Sequence, residues 1–495
     1  MHELDAGDSV SIVRLNSDLA ARHVDGNVVV RYYRRDTELF ADAFYVDTQR
    51  CPYSKSVVER YIACKIANRV CVIGVDHVKI CLSAETADCY HAILSDFYFC
   101  YDTIIPLATV SSLTVKVYGV ALRFSSANIS DGGRLRMKPQ IVDSDPTAVR
   151  DELRYKAGLF FSMNLGHTQT SVACVRVDAV GSKLLKYKRF ATIPLQSDDG
   201  LSNLVLHNAP EFLDFANELG MRYLGASMSI AETVIAGRIF PNRAGGLFRD
   251  TVANGDLERH VSKTVSQLLF VERMLVINDA CAEGIYASRI AATYDAGVIR
   301  HHRTRLLTIR FGTWPAISYV GDDGYNLSRM NEYSYMSTRV HRYDRKAIVG
   351  NVGRILSYQG FGMLAAELGL LEKYNVNEDA ALKFFYEALF SRNEDEKRDA
   401  SLIYVRMGEH IAMLVGELLE DVPIERVSIL GSKANAIDRY VFRYIERGFV
   451  AFTKAYAIYP SDMKMELIAE ASHEASVIGA SLQLSERFSD GGCFA

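Results

Sequence analysis

Apolar positions recur along this chain in two spacings, and the change from one to the other marks its elements. The segments from Asn27 to Arg35 and from Thr37 to Phe44 read as two helices. After a break at Cys51-Pro52, Ser54 is a good N-cap, and Val58, Ile62 and Ile66 repeat at i+4. That spacing predicts a third helix with one inward stripe. Lys55, Ser56, Glu59 and Arg60 then lie on its outer face. A solvated amphipathic helix and a base-reading helix both satisfy this pattern. Short apolar runs at Val70–Ile73 and Leu113–Val120 read as strands.

Beyond residue 155 the pattern turns to buried apolar runs. Leu159–Gly166 and Ser171–Val177 form a hairpin signature around a small-residue turn. Met274–Ile277 runs through the polar pair Asn278-Asp279 into a helix, and Leu306–Ile309 and Val427–Leu430 are further strands. Strands alternating with helices predict α/β layers.

At 495 residues, with 49% hydrophobic and 23% charged, the chain is expected to hold about three domains with sizeable cores. A formal charge of −4 excludes a general polycation, so any nucleic-acid contact has to come from a local patch. Asn27–Val75 carries eight Lys/Arg against five Asp/Glu, and Lys116–Arg150 six against three. Asp76–Val115, between them, has one against five. The opening Met1-His2-Glu3-Leu4-Asp5 lacks the basic start and apolar run of a secretory signal, and no stretch approaches the roughly 18 apolar residues of a membrane helix. The expectation is a cytoplasmic protein that does not enter membranes. Six of the nine cysteines, Cys51, Cys64, Cys71, Cys81, Cys89 and Cys100, fall in one stretch without a C-x-x-C pair, which favours buried or free thiols over zinc or disulfides.

Ser130-Asp131-Gly132-Gly133-Arg134 forms a tight turn that can bring backbone and a guanidinium close to a duplex. The helices, the strand at Val70–Ile73 and this turn together resemble the winged-helix module of the ROK family (repressors, open reading frames, kinases). The remainder resembles the family's sugar-kinase lobes, motif by motif. Met163-Asn164-Leu165-Gly166-His167-Thr168 is similar to the first phosphate turn, D-x-G-G-T, with Asn164 for the aspartate and His167 for the second glycine. Asn278-Asp279-Ala280-Cys281-Ala282 is similar to N-D-A-N-A, in which the aspartate is the base that takes the sugar hydroxyl proton and the asparagine holds the sugar. An Asn-Asp pair before a helix also satisfies a plain capping role.

Gly312-Thr313-Trp314-Pro315 resembles the second phosphate turn, G-T-G-x-G, with the single Trp and a Pro in place of small residues. Asn331–Met336 resembles G-E-x-G-H-M, keeping the sugar-binding Glu332 and replacing the zinc-ligating histidine by Tyr335. Ala347–Ile355 lines up with C-x-C-G-x-x-G-C-L, with Ala347, Val349 and Arg354 for the three cysteines. Those side chains cannot supply soft or imidazole donors, so no zinc is expected. Gly431 and Ser432 resemble the strand-turn beneath the adenosine, and Ser476–Ser481 the closing G-A-A helix.

The resemblance implies an α/β fold: a winged helix-turn-helix at 1–150 with an insertion about 76–115, then a two-lobed, actin-like sugar-kinase fold of the ribonuclease H-like type. Its lobes would cover 151–285 and 286–470, with a closing helix at 471–495 returning to the first lobe. The implied DNA contacts are Lys55, Ser56, Arg60, Gly132, Gly133 and Arg134. The implied sugar ligands are Asn278, Asp279 and Glu332, with Asp279 catalytic in any active enzyme. The nucleotide positions are Gly166, Thr168, Gly312, Thr313 and Gly431. Loss of a charge at Asn164 and added bulk at His167 and Trp314 argue against ATP and magnesium in the usual manner. No cofactor is expected.

The expected function is a dimeric transcriptional regulator that senses a sugar or sugar phosphate and binds operator DNA, without efficient phosphoryl transfer. The alternatives are a diverged ATP-dependent sugar or amino-sugar kinase and a pseudo-kinase scaffold. Arg300–Arg303 and Arg392–Asp399 read as solvated charged segments, and the 27 tyrosines as dispersed packing with a wet hydroxyl.

Overall fold

The computed structural model describes residues 27–34, 37–45, 62–69, 77–82, 114–119, 156–178, 181–192, 200–235, 237–240, 247, 257–271, 273–294, 305–321, 333–336, 352–419, 422–431, 437–456, 463–469 and 474–489. The chain divides into two compact units. One comprises Met1–Ala148, Tyr335–Gly350 and Tyr456–Ile458, the other Val149–Ser334, Asn351–Ala455 and Tyr459–Ala495.

The described part of the first unit is a four-stranded sheet and one helix. Strands β1 (Asn27–Arg34), β2 (Thr37–Tyr45), β3 (His77–Leu82) and β4 (Thr114–Gly119) lie in the order β2-β1-β3-β4, with β3 and β4 parallel and the other pairs antiparallel. The two segments expected as the first helices of a winged helix are therefore a β-hairpin. Period-2 burial explains the correction: Val30 and Tyr32 both face inward, Tyr32 opposite the buried Val78, and the run of Val and Tyr fits a pleated surface better than a helix. Residues 62–69 are helical as expected (α1), with Ile62 and Ile66 buried. Lys65, Asn68 and Arg69 are buried as well, so this stretch presents no basic outer face. The strand at Leu113–Val120 is present as β4. No winged helix is formed among the described residues, and Lys55, Ser56, Arg60, Gly132, Gly133 and Arg134 lie outside them.

The second unit holds two sheets. Strands β5 (Gly158–Leu165), β6 (Gln169–Val177), β7 (Ser182–Ala191) and β8 (Tyr223–Ile230) precede a short hairpin, β9 (Thr233–Ile235) with β10 (Arg238–Phe240), and then β11 (Met274–Asn278). The first sheet runs β11-β8-β5-β6-β7: β5, β8 and β11 are parallel, while β6 is antiparallel to both β5 and β7. This is the strand order of a ribonuclease H-like layer. Successive residues of β5 serve opposite faces. Phe161 packs edge-on to Phe212 of α2 (Gly200–Glu218) and to Tyr223, in a core shared with α3 (Leu257–Leu269). Phe160 points the other way, toward Phe488, beside α4 (Asp279–Tyr294). The edge strand β7 is half-buried and carries Lys186 and Lys188, which pair with Glu211 and discourage further strand addition.

The second sheet, β13-β12-β14-β15, combines β12 (Leu306–Arg310), β13 (Ala316–Val320), β14 (Arg426–Gly431) and β15 (Lys464–Ala469). β12 is antiparallel to β13 and parallel to β14, repeating most of the first topology. Its helices are α5 (Val352–Ile355), α6 (Tyr358–Glu367), α7 (Leu370–Tyr374), α8 (Glu378–Ala388), the long α9 (Glu394–Leu419) and α10 (Arg439–Tyr456). Ser357 caps α6 through Gly360 N at 3.0 Å, and Asn377 caps α8 through Ala380 N at 2.8 Å. The last helix, α11 (Ala475–Ser489), lies on β5, β6 and β8 and against α4. There the two helix backbones nearly touch: a Cβ on Gly479 would sit 1.8 Å from the Ala282 carbonyl oxygen.

Candidate functional site

In sheets of this topology, ligands meet the chain beyond the carboxyl ends of the parallel strands. Asn164 to Gly166 lie at that end of β5, Asn278 at that end of β11, Arg310 to Thr313 at that end of β12, and Gly431 at that end of β14. The candidate residues of both lobes that fall within the described stretches thus lie at the edge where the fold builds a site.

Asn278 ends β11 and Asp279 begins α4. The buried Asn278 amide uses both ends: Nδ2 donates to the Glu232 carbonyl at 3.0 Å, and Oδ1 accepts from Cys281 N at 3.4 Å as the helix cap. Asp279 is half-buried, and its Oδ1 accepts from Ala280 N at 2.9 Å. Burial raises the Asp279 carboxyl above the ordinary carboxylate range, opposed by the Ala280 N–H and by the charge of Arg310.

Each phosphate turn is tied to the rest of the fold by hydrogen bonds. In the first, Gly166 N donates to Gln169 O at 3.0 Å, and the Gly166 carbonyl accepts from Thr192 Oγ1 at 2.7 Å. Asn164 Oδ1 accepts from Ser229 Oγ at 2.9 Å, while His167 and Thr168 are exposed at the tip. In the second, the Gly312 carbonyl accepts from Tyr358 N at 3.0 Å. Thr313 is exposed, and Trp314 donates through Nε1 to Ser334 Oγ at 3.1 Å. The Trp314 indole lies over Gly353, where a Cβ would come within 2.5 Å of its ring. That contact gives Gly353, one of the two glycines kept from the zinc module, a packing role.

Sequence reasoning missed the polar centre of the site. Glu283, one helical turn beyond Asp279 on α4, is buried and forms an ion pair with Arg310 through Oε1. Ser476 Oγ donates to the same oxygen at 2.9 Å, and Glu283 Oε2 has no hydrogen-bond partner among the described residues. Burial pushes the Glu283 carboxyl up; Arg310 pulls it down, and Asp279 adds to the upward push. Arg310 is held in its charged form chiefly by Glu283, with Asp279 acting in the same direction. Tyr358 and Tyr187 also feel Arg310, and the Tyr187 hydroxyl interacts with that of Ser171 on the adjacent strand. One signal for this cluster was legible: a lone arginine in the apolar run Leu306–Phe311 and a lone glutamate after Ala280–Ala282 each demand a buried counter-charge.

Glu332, Ala347 and Val349 lie outside the described residues, and Arg354 belongs to α5. Gly431 is buried at the end of β14, where a Cβ would meet Ile437 O at 2.5 Å. Asn164 Oδ1, Asp279 Oδ1 and Glu283 Oε1 are each engaged, the last by a guanidinium, and among the described residues no group of three or more His, Cys, Asp or Glu side chains is placed to hold a metal ion.

No family model and no curated protein matches the chain. Among solved structures it is similar to a ROK family hexokinase from Thermus thermophilus, at 12% identity over 68% of this chain and 100% of that one, with a TM-score of 0.49. A ROK family transcriptional regulator, a homologue of the E. coli MLC protein, matches at 12% identity over 67% of this chain and 79% of that one, with a TM-score of 0.48. A ROK family glucokinase from Streptomyces griseus, solved with glucose and AMPPNP, matches at 15% identity over 67% and 100%, with a TM-score of 0.45.

Proposed function

We propose that this chain is a ROK-type sensor that binds a sugar or sugar phosphate at the Asn278-Asp279 step and does not transfer a phosphoryl group efficiently. One observation carries the reading: the Asn278-Asp279 pair stands at the carboxyl end of β11, while the Gly166 amide of the first phosphate turn is held by Gln169 O and Trp314 fills the second. Phosphoryl transfer depends on positioning and on charge stabilisation of the phosphates, and a Gly166 amide donated to Gln169 O supplies neither. A sensor needs only differential affinity of two conformations for its ligand. The output in this proposal is transcriptional, with operator DNA and a homodimer as partners; it rests on the motif resemblance through Lys55, Arg60 and Gly132–Arg134.

The test of the central claim is ADP release from MgATP across a hexose and amino-hexose panel. No turnover above background is expected. Magnesium-dependent turnover abolished by Asp279→Asn would replace the sensor with the kinase reading, which the raised carboxyl of half-buried Asp279 favours as a general base. For the DNA output, binding that falls steeply between low and higher salt is expected, because phosphate contacts release counterions. Binding unaltered in both Arg60→Ala and Arg134→Ala would remove it.

A further inference from the structure

We infer that Arg310 is a resident cation of the site: it takes the place of a divalent metal ion beside Asp279 and Glu283, so the site excludes such ions and binds its hydroxylated ligand without one. The inference rests on the sensor reading of the same site and adds how its charge is managed.

Asp279 and Glu283 are one turn apart on α4 and so share a helix face, the pairing with which two carboxylates can clasp one cation. Two carboxylates at one site repel each other unless a positive charge or a proton intervenes. Arg310 supplies the positive charge from β12, forming the ion pair with Glu283 and acting on Asp279. The Glu283 oxygen that faces Arg310 also accepts from Ser476 of α11, which fixes the acceptor from a third element. The Arg310 side chain is 24% exposed against 3% for Glu283, so the guanidinium rather than the carboxylate is the accessible charge of the pair. A divalent ion approaching Asp279 would meet the like charge of Arg310, and one oxygen of each carboxylate, Asp279 Oδ1 and Glu283 Oε1, is already engaged.

Asp279 is left with one carboxylate oxygen beyond the Ala280 contact. That suits a hydrogen bond from a ligand hydroxyl, a contact that requires no metal.

The experiment is a Mn²⁺ titration of the full chain followed by electron paramagnetic resonance. In the wild type, the signal of free Mn²⁺ should be undiminished by protein. Arg310→Met removes the guanidinium and exposes two carboxylates on one face; it should bind about one ion per chain, at least roughly tenfold more tightly than the wild type. Arg310→Lys, which keeps the charge, should behave as the wild type. A single Mn²⁺ bound by the wild type and lost in Asp279→Asn overturns the inference, as does a folded Arg310→Met chain that binds no more than the wild type. Should Arg310→Met fail to fold, the wild-type titration decides alone. Failure of the sensor reading shows separately, as sugars that leave the melting temperature unmoved, and does not alter the Mn²⁺ result.

Discussion

An asparagine at the start of a helix has a donor end and an acceptor end, and Asn278 uses them to join β11, α4 and the loop carbonyl of Glu232. Asn278→Ala removes a cap and strands a buried carbonyl, and is expected to cost about 1–3 kcal/mol, read as a lower urea midpoint. Asn278→Asp keeps the acceptor and loses the donor, so it should recover part of that loss. His410 on α9 offers a second residue-level test. It is 9% exposed, its Nδ1 has no partner, and burial, with Arg406 nearby, lowers its pKa to about 4. The folded protein therefore holds a neutral imidazole while the unfolded chain titrates near its ordinary value of about 6.5. Between these values the unfolded state binds more protons, so stability is complete above about pH 6.5 and falls as pH drops toward 4. The loss should approach about 3 kcal/mol by urea melts from pH 7 to 4. His410→Leu should flatten that slope at little cost at pH 7, since it removes a buried nitrogen that has no partner.

Two helix contacts depend on missing Cβ atoms. α11 crosses α4 at Gly479, and α9 crosses α10 where a Cβ on Gly408 would lie 2.0 Å from Ile445 O and one on Gly448 2.0 Å from Val405 O. Backbone cannot yield as a flexible side chain can. Gly479→Ala is expected to destabilise by about 3 kcal/mol or more and to disturb the Glu283–Ser476 contact a turn away, with a fall in melting temperature as the readout. Buried strands were the most legible elements: Leu159–Leu165 and Leu306–Arg310 announce themselves as apolar runs, and the Asn278-Asp279 junction as a break in polarity. The segments expected as helices form the β1–β2 hairpin because the Val28–Val30 run and the Tyr32-Tyr33 pair suit a pleated strand, with Val30 and Tyr32 buried two residues apart. The bonds from Thr192 to the Gly166 carbonyl and from Tyr358 to the Gly312 carbonyl were not legible, because these residues meet only after the chain folds.

For the second unit as a whole, the sequence carried the layer order and two of the site's residues but not its electrostatics. Glu283, Arg310 and Ser476 come from three elements up to 193 positions apart, a separation no local spacing encodes. In the proposed reading, the second unit binds a hydroxylated ligand at the Asn278-Asp279 step and carries its own cation in Arg310. The measurement that tests this most directly is the melting temperature of the wild type and of Asp279→Ala across a panel of hexoses, amino-hexoses and hexose phosphates, with nucleotide and divalent metal both omitted. Selective binding to the folded state raises the melting temperature by mass action. The account predicts that one ligand class raises it in the wild type and has no effect on Asp279→Ala. A panel without effect on the wild type, or a rise that appears only when MgATP is added, would contradict it.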